Sequence, residues 1–263
     1  MVRPPEDTFV RPTDLSDLRD PRVLYARSYL LIRTIVGVIG ILLPFVFILG
    51  EALFLDAGVH VRGSISAYYH TSMRDIFVGS LCVVGLLLAT YMAGQRKRPD
   101  WWLSLVAGIA VLGVVFFPTG RPNIPEGAPL CGTTPEPVGC SPVQQELGET
   151  LVATVHFVCA TVFILSLAAI CFYFAQRERR AGNAGVAWFQ RACGIAIIAA
   201  VAWIAVGGVM HWDLGELTPL YIGEVASIWA FGASWLMSSR DLWRRAVPAM
   251  AGTAVKTRSR RTY

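Results

Sequence analysis

The chain has 263 residues, of which 54% are hydrophobic and 16% charged, and it carries a formal net charge of +5 with a mean hydropathy of +0.52. That balance excludes a disordered chain and an ordinary soluble globular domain, and it fits a polytopic membrane protein.

Residues 1–29 contain Glu6, Asp7, Asp14, Asp17 and Asp20 among prolines and arginines. They read as a cytoplasmic N-terminal segment that is disordered or lies on the membrane surface. No small-residue cleavage site follows the first apolar run, so this run is expected to be an uncleaved span rather than a signal peptide. Six apolar blocks follow, approximately Leu30–Leu55, Ile76–Ala93, Trp101–Phe117, Leu151–Ala175, Ala192–Met210 and Leu220–Met237. Each is near the ~20 residues an α-helix needs to cross ~30 Å of hydrocarbon. The expected fold class is therefore all-α, a six-transmembrane-helix bundle over residues 30–239 with a basic cytoplasmic tail at 240–263. The connectors are too short and too poor in polar residues to wrap six buried helices in water.

Orientation follows from Lys and Arg alone. All but Arg62, Arg74 and Arg121 lie before or at the start of block one, between blocks two and three, between four and five, or after block six. The positive-inside rule then places both termini in the cytoplasm of a cell-membrane protein. The basic tail is expected to meet anionic lipid headgroups rather than nucleic acid. Membrane lipid is the expected partner.

Cys82, Cys159, Cys171 and Cys193 fall inside apolar blocks, where a small soft residue needs no special explanation. Cys131 and Cys140 flank a Gly- and Pro-containing stretch in the long outer loop and are expected to form a disulfide. The other outer loops are Asp56–Arg74, with R-G-S-I-S-A-Y-Y-H-T-S-M-R, and His211–Pro219.

Five blocks carry an ionisable residue near their outer ends: Glu51, Asp75, His156, His211 and Glu224. Charge in hydrocarbon costs roughly 2.5–3.5 kcal/mol on insertion scales, so such residues usually face a bundle interior, a watery cavity or a ligand. Glu51, Ser64, Ser66, Tyr68, Asp75, His156 and Glu224 are candidates to line an outward-facing pocket for a lipid or small molecule. Glu149, two turns before His156 on the same helix face, is expected to share it. No cofactor is expected. The alternative is zinc, held by His70, Asp75, His156 and His211 and serving hydrolysis of lipid amides or esters. No H-E-x-x-H pair puts two such ligands on one helix face. Taken singly, each residue is better explained by capping, ion pairing or helix packing.

The run S-I-S-A-Y-Y-H-T-S-M-R-D-I-F-V-G, Ser64 to Gly79, with F-P-T at Phe117 to Thr119, resembles a group of bacterial six-helix membrane proteins of unknown function. The likeness covers Ser64–Trp235 and implies six spans and no established activity. Ser66, His70 and Asp75 are loosely similar to the first half of the zinc site of alkaline ceramidases and progestin/adiponectin-type receptors. This chain lacks that superfamily's histidine pair on the last helix, where it has Glu224.

Overall fold

The computed structural model describes residues 21–55, 60–91, 98–122 and 124–259. It is helical, with no strand among those residues: α1 (Pro21–Leu55), a short 3-10 helix (Ser66–His70), α2 (Arg74–Thr90), α3 (Pro99–Phe116), α4 (Pro142–Leu147), α5 (Glu149–Arg180), α6 (Ala184–Val209) and α7 (Pro219–Ser259). Five of these contain stretches long and apolar enough to cross a membrane: Leu30–Leu53, Pro99–Phe116, Glu149–Arg180, Ala184–Val209 and Pro219–Ser239. The second apolar block forms α2, whose 17 residues span about 25 Å at 1.5 Å per residue, a little short of the hydrocarbon thickness.

Several helices extend beyond their apolar blocks, α1 and α7 furthest. Of the segment read as disordered, residues 1–20 lie outside the described residues, but α1 starts at Pro21, the proline-favoured first helical position. Likewise α7 continues through most of the basic tail to Ser259, because Ala, Leu, Met, Lys and Arg are good helix formers whatever their polarity. Apolar runs locate the hydrocarbon, not the helix ends.

The long helices pack in the cyclic order α2, α3, α5, α6, α7, α1, with the slightest contact between α1 and α2. Close approach depends on small residues. At Gly108 of α3 an added Cβ would come within 2.6 Å of the Gly85 carbonyl oxygen and 2.7 Å of the Ala89 nitrogen on α2. Large apolar side chains such as Leu31, Leu42, Leu49 and Leu53 are exposed along α1, as expected of a lipid-facing stripe.

The core has two clusters, one toward each end of the bundle. At the end carrying the connections 56–73, 117–148 and 210–218, here the loop end, the 3-10 helix folds into the bundle. Tyr68 is fully buried and stacks on Phe47 of α1, with ring centroids 4.8 Å apart, alongside Met73, Phe77 and Tyr221. At the opposite, terminal end the cluster centres on Trp235, Phe174, Tyr91 and Leu88. Here Arg33, counted above as an orienting charge, is fully buried. Its guanidinium lies 4.5 Å from the Trp235 ring centroid and 5.1 Å from that of Phe174, and it donates to the Tyr91 hydroxyl at 2.5 Å. Aromatic faces are favourable surroundings for a desolvated guanidinium.

Candidate ligand cavity at the loop end

Pro118, which cannot donate a backbone hydrogen bond, follows the end of α3 and breaks the helix. The exposed carbonyls of this Phe-Pro-Thr segment are then taken up by side chains. His156 Nδ1 lies 2.8 Å from the Phe117 oxygen and 3.2 Å from that of Val114. The Thr119 oxygen meets His70 Nε2 at 2.8 Å and accepts from Gln144 Nε2 at 3.1 Å. Carbonyls only accept, so Nδ1 of His156 carries a proton, and when the ring is neutral Nε2 keeps a lone pair.

On the other side, Thr218 caps α7. Its hydroxyl accepts from the Tyr221 amide at 3.1 Å and donates to the Gly63 carbonyl, tying the 60–73 loop to the helix start. One turn further, Glu224 Oε2 accepts the Ile65 amide at 2.6 Å. This carboxylate stabilises the loop backbone, and among the described residues its second oxygen makes no such bond.

Between these two supports lies a cavity of about 450 Å³. Its polar lining includes Ser64, Ser66, Thr119, His156, His211, Thr218 and Glu224, and its apolar wall includes Ala160, Ile164, Val201 and Ile204 from α5 and α6. Neither Lys nor Arg is among the lining residues. His156 is 2% exposed, whereas His211 sits at an exposed position. His211 also has φ +51. It follows α6 in the left-handed position of a Schellman turn, with its amide donating to Gly208 and that of Trp212 to Gly207.

Ser64, Ser66, His156 and Glu224 of the pocket candidates therefore line one cavity, joined by His211. The others go elsewhere. Glu51 is 2% exposed and receives Arg62 through Nε at 2.8 and 2.9 Å and NH2 at 2.6 Å. That pairing raises the guanidinium pKa. Tyr68 is a packing residue, and burial pushes its phenol above the usual range. Asp75 is exposed on the first turn of α2, where Met73 is the N-cap and no side-chain cap bond forms. His70 is half-buried on Thr119, and burial lowers its pKa. Glu149 does not share the cavity. It receives the Arg121 amide at 2.7 Å, the Arg121 guanidinium at 3.0 Å and the Cys131 amide at 3.1 Å.

His70 and Asp75 thus stand apart from the cavity that His156 and His211 line. Among the described residues, Cys131, Glu136 and Cys140 bring three metal-type donors within 4.8 Å of one another, but the two sulfurs are joined in the disulfide. Sequence reasoning missed Arg62 and Arg121 as partners of the buried acids. It also missed the buried amide and hydroxyl network of Gln190, Ser234 and Ser238 at the terminal end, where Gln190 Nε2 donates to the Ser234 carbonyl at 2.9 Å. Ser234 inside an apolar block, with Gln190 two residues before another, was the available signal.

These apolar helices define a multi-pass membrane protein. The chain belongs to the DUF998 family, described as proteins of unknown function, whose model matches residues 38–236. That stretch includes every described residue named in the cavity. No curated protein and no solved structure matches the chain.

Proposed function

We propose that the protein binds an amphiphile in the loop-end cavity, as a lipid or small-molecule receptor or sensor of the cell membrane. It would act with α2 as a sixth span and both termini cytoplasmic, the orientation favoured by its Lys and Arg distribution. The observation that carries this reading is the division of the cavity lining. One end offers hydroxyls, the His156 lone pair and a carboxylate oxygen, while the wall along α5 and α6 offers aliphatic side chains. A polar head with a hydrocarbon chain matches both ends at once.

Trp212 lines the cavity, which supplies a local probe. An alkyl glycerol brominated on its chain should quench Trp212 saturably, with quenching measured as the difference between the wild type and Trp212→Phe. His156→Ala and Glu224→Gln should each weaken binding roughly 5–10-fold, the value of one lost hydrogen bond to a buried partner, while leaving the helical content unchanged. Quenching that rises linearly with bromolipid and is insensitive to both variants would defeat the reading. Elemental analysis of the same preparation addresses the zinc hydrolase alternative. Stoichiometric zinc lost in His156→Ala or His211→Ala would replace amphiphile binding with metal chemistry, since such sites lose most of their affinity with one ligand.

A further inference from the structure

A second concavity, of about 730 Å³, opens at the terminal end between the last turns of α5 and the first turns of α6. It is lined by Phe172, Tyr173, Gln176, Arg179, Arg180 and Arg191. Three guanidiniums share it with no carboxylate among the described lining residues. The acid of this stretch, Glu178, is turned inward and 3% exposed, and it is engaged by Asn183 Nδ2 at 2.8 Å and Arg177 NH2 at 3.5 Å. Arg177 itself lies over the Phe174 ring, 4.9 Å from its centroid. Among the described residues, Arg179, Arg180 and Arg191 make no ion pair.

Basic residues on the last turn of α5 complement the negative end of that helix. This does not account for Arg191, which lies two turns into α6, nearer the end where a cation is disfavoured. The positive-inside rule accounts for how many basic residues lie at this end but not for their meeting in one groove. The groove also has an apolar side. Phe172, one of the lining residues, lies so close to α6 that a Cβ at Gly194 would come within 2.9 Å of its ring, and Trp188, outside the lining but three residues before Arg191 on α6, is 65% exposed.

We propose that this groove binds the phosphodiester headgroup of an anionic phospholipid. The arginines surround the phosphate, whose oxygens they can meet through paired N–H donors. Gln176 adds an amide donor, and Phe172 and Trp188 receive the start of the acyl chains. Basic pockets between helices at a membrane interface are suited to such headgroups.

The test is native mass spectrometry of the full-length protein released from detergent with phosphatidylglycerol or phosphatidylcholine. Two charge-matched triple variants are compared, Arg179→Gln/Arg180→Gln/Arg191→Gln in the groove and Arg240→Gln/Arg244→Gln/Arg245→Gln in the C-terminal segment. At about fivefold per arginine, the groove triple should lose phosphatidylglycerol retention by on the order of 100-fold. The C-terminal triple should largely keep it, and the charge-preserving Arg179→Lys/Arg180→Lys/Arg191→Lys, which keeps the charge but not the paired donors, should fall between the two. Equal loss in the two Gln triples, or a wild type that retains both lipids alike, would overturn the proposal in favour of general charge. Displacement of phosphatidylglycerol by excess inorganic phosphate, with phosphate then retained, would overturn the lipid as the source of the phosphate.

Discussion

The concavities at the two ends of the bundle stand beside arginines in opposite states. At the loop end, Arg62 and Arg121 are consumed internally, each closing on a buried glutamate, and the neighbouring cavity is left with acceptors and hydroxyls but no Lys or Arg. At the terminal end, Arg179, Arg180 and Arg191 face a groove without ion pairs. The contrast shows that arginine count says little about role. A guanidinium whose carboxylate is already supplied by the fold is part of the framework, and one left beside an open groove is available to an outside anion.

The largest effect that should separate the ends is on stability. Arg121→Ala leaves Glu149, 5% exposed, without its counterion and releases the carbonyls of Pro129 and Val138, which Arg121 also holds. A loss of about 3–5 kcal/mol is expected, measured as denaturant-induced unfolding in a fixed detergent. Arg180→Ala, at an exposed site, should change stability by less than about 0.5 kcal/mol. Comparable losses from the two would erase the distinction.

Acidification should also act on one end alone, because all four histidines, His60, His70, His156 and His211, belong to the loop end. Burial holds the folded-state pKa of His70 below its ordinary 6.5, so the unfolded chain takes up the proton first. Stability is unaffected well above pH 6.5, declines as pH falls through 6.5, and stops declining below the depressed folded value. His70→Gln should flatten that part of the profile of apparent melting temperature against pH. An unchanged slope in the variant would assign the proton to another group.

The smallest effect sharpens the cavity itself. His211 holds φ +51, a conformation that costs a non-glycine residue roughly 1 kcal/mol. His211→Gly should therefore stabilise the α6–α7 turn by about that amount in thermal unfolding while weakening amphiphile binding at the cavity mouth. A destabilised variant would mean that the imidazole makes contacts worth more than the backbone strain.

The helices and the Cys131–Cys140 disulfide could be read from the sequence because both rest on local signals, a run of apolar residues in one case and a short Pro/Gly loop between two outer cysteines in the other. His156 and Glu224 could also be picked out, since their placement inside apolar blocks demanded a polar surrounding. What could not be read was which charge the fold itself would satisfy. Glu51 and Glu224 occupy similar positions in sequence, yet Glu51 meets Arg62 while Glu224 receives only the Ile65 amide. The difference comes from how the 60–73 loop folds back between α1 and α7, a tertiary event no periodicity encodes. Arg33 was opaque for the same reason: its aromatic box is assembled from Tyr91 at the end of α2, from α5 and from α7. Asp75 misled because an acid at a helix start has a local explanation, and its exposure supports that plainer role.

The cyclic packing order has a consequence for how the chain is made. Helix α1 meets α7 far more extensively than it meets α2, so the first helix to emerge from the ribosome finds its main neighbour last. Between the emergence of Leu55 and of Ser239 lies a wait of roughly 10–40 s at ordinary translation rates. Through that interval Trp235 does not yet exist to cover the Arg33 guanidinium, which can remain solvated only by reaching along its aliphatic stem to the interface. Ring closure is thus a late step, and α1 must be kept from straying in the membrane until the final helix arrives to dock against it.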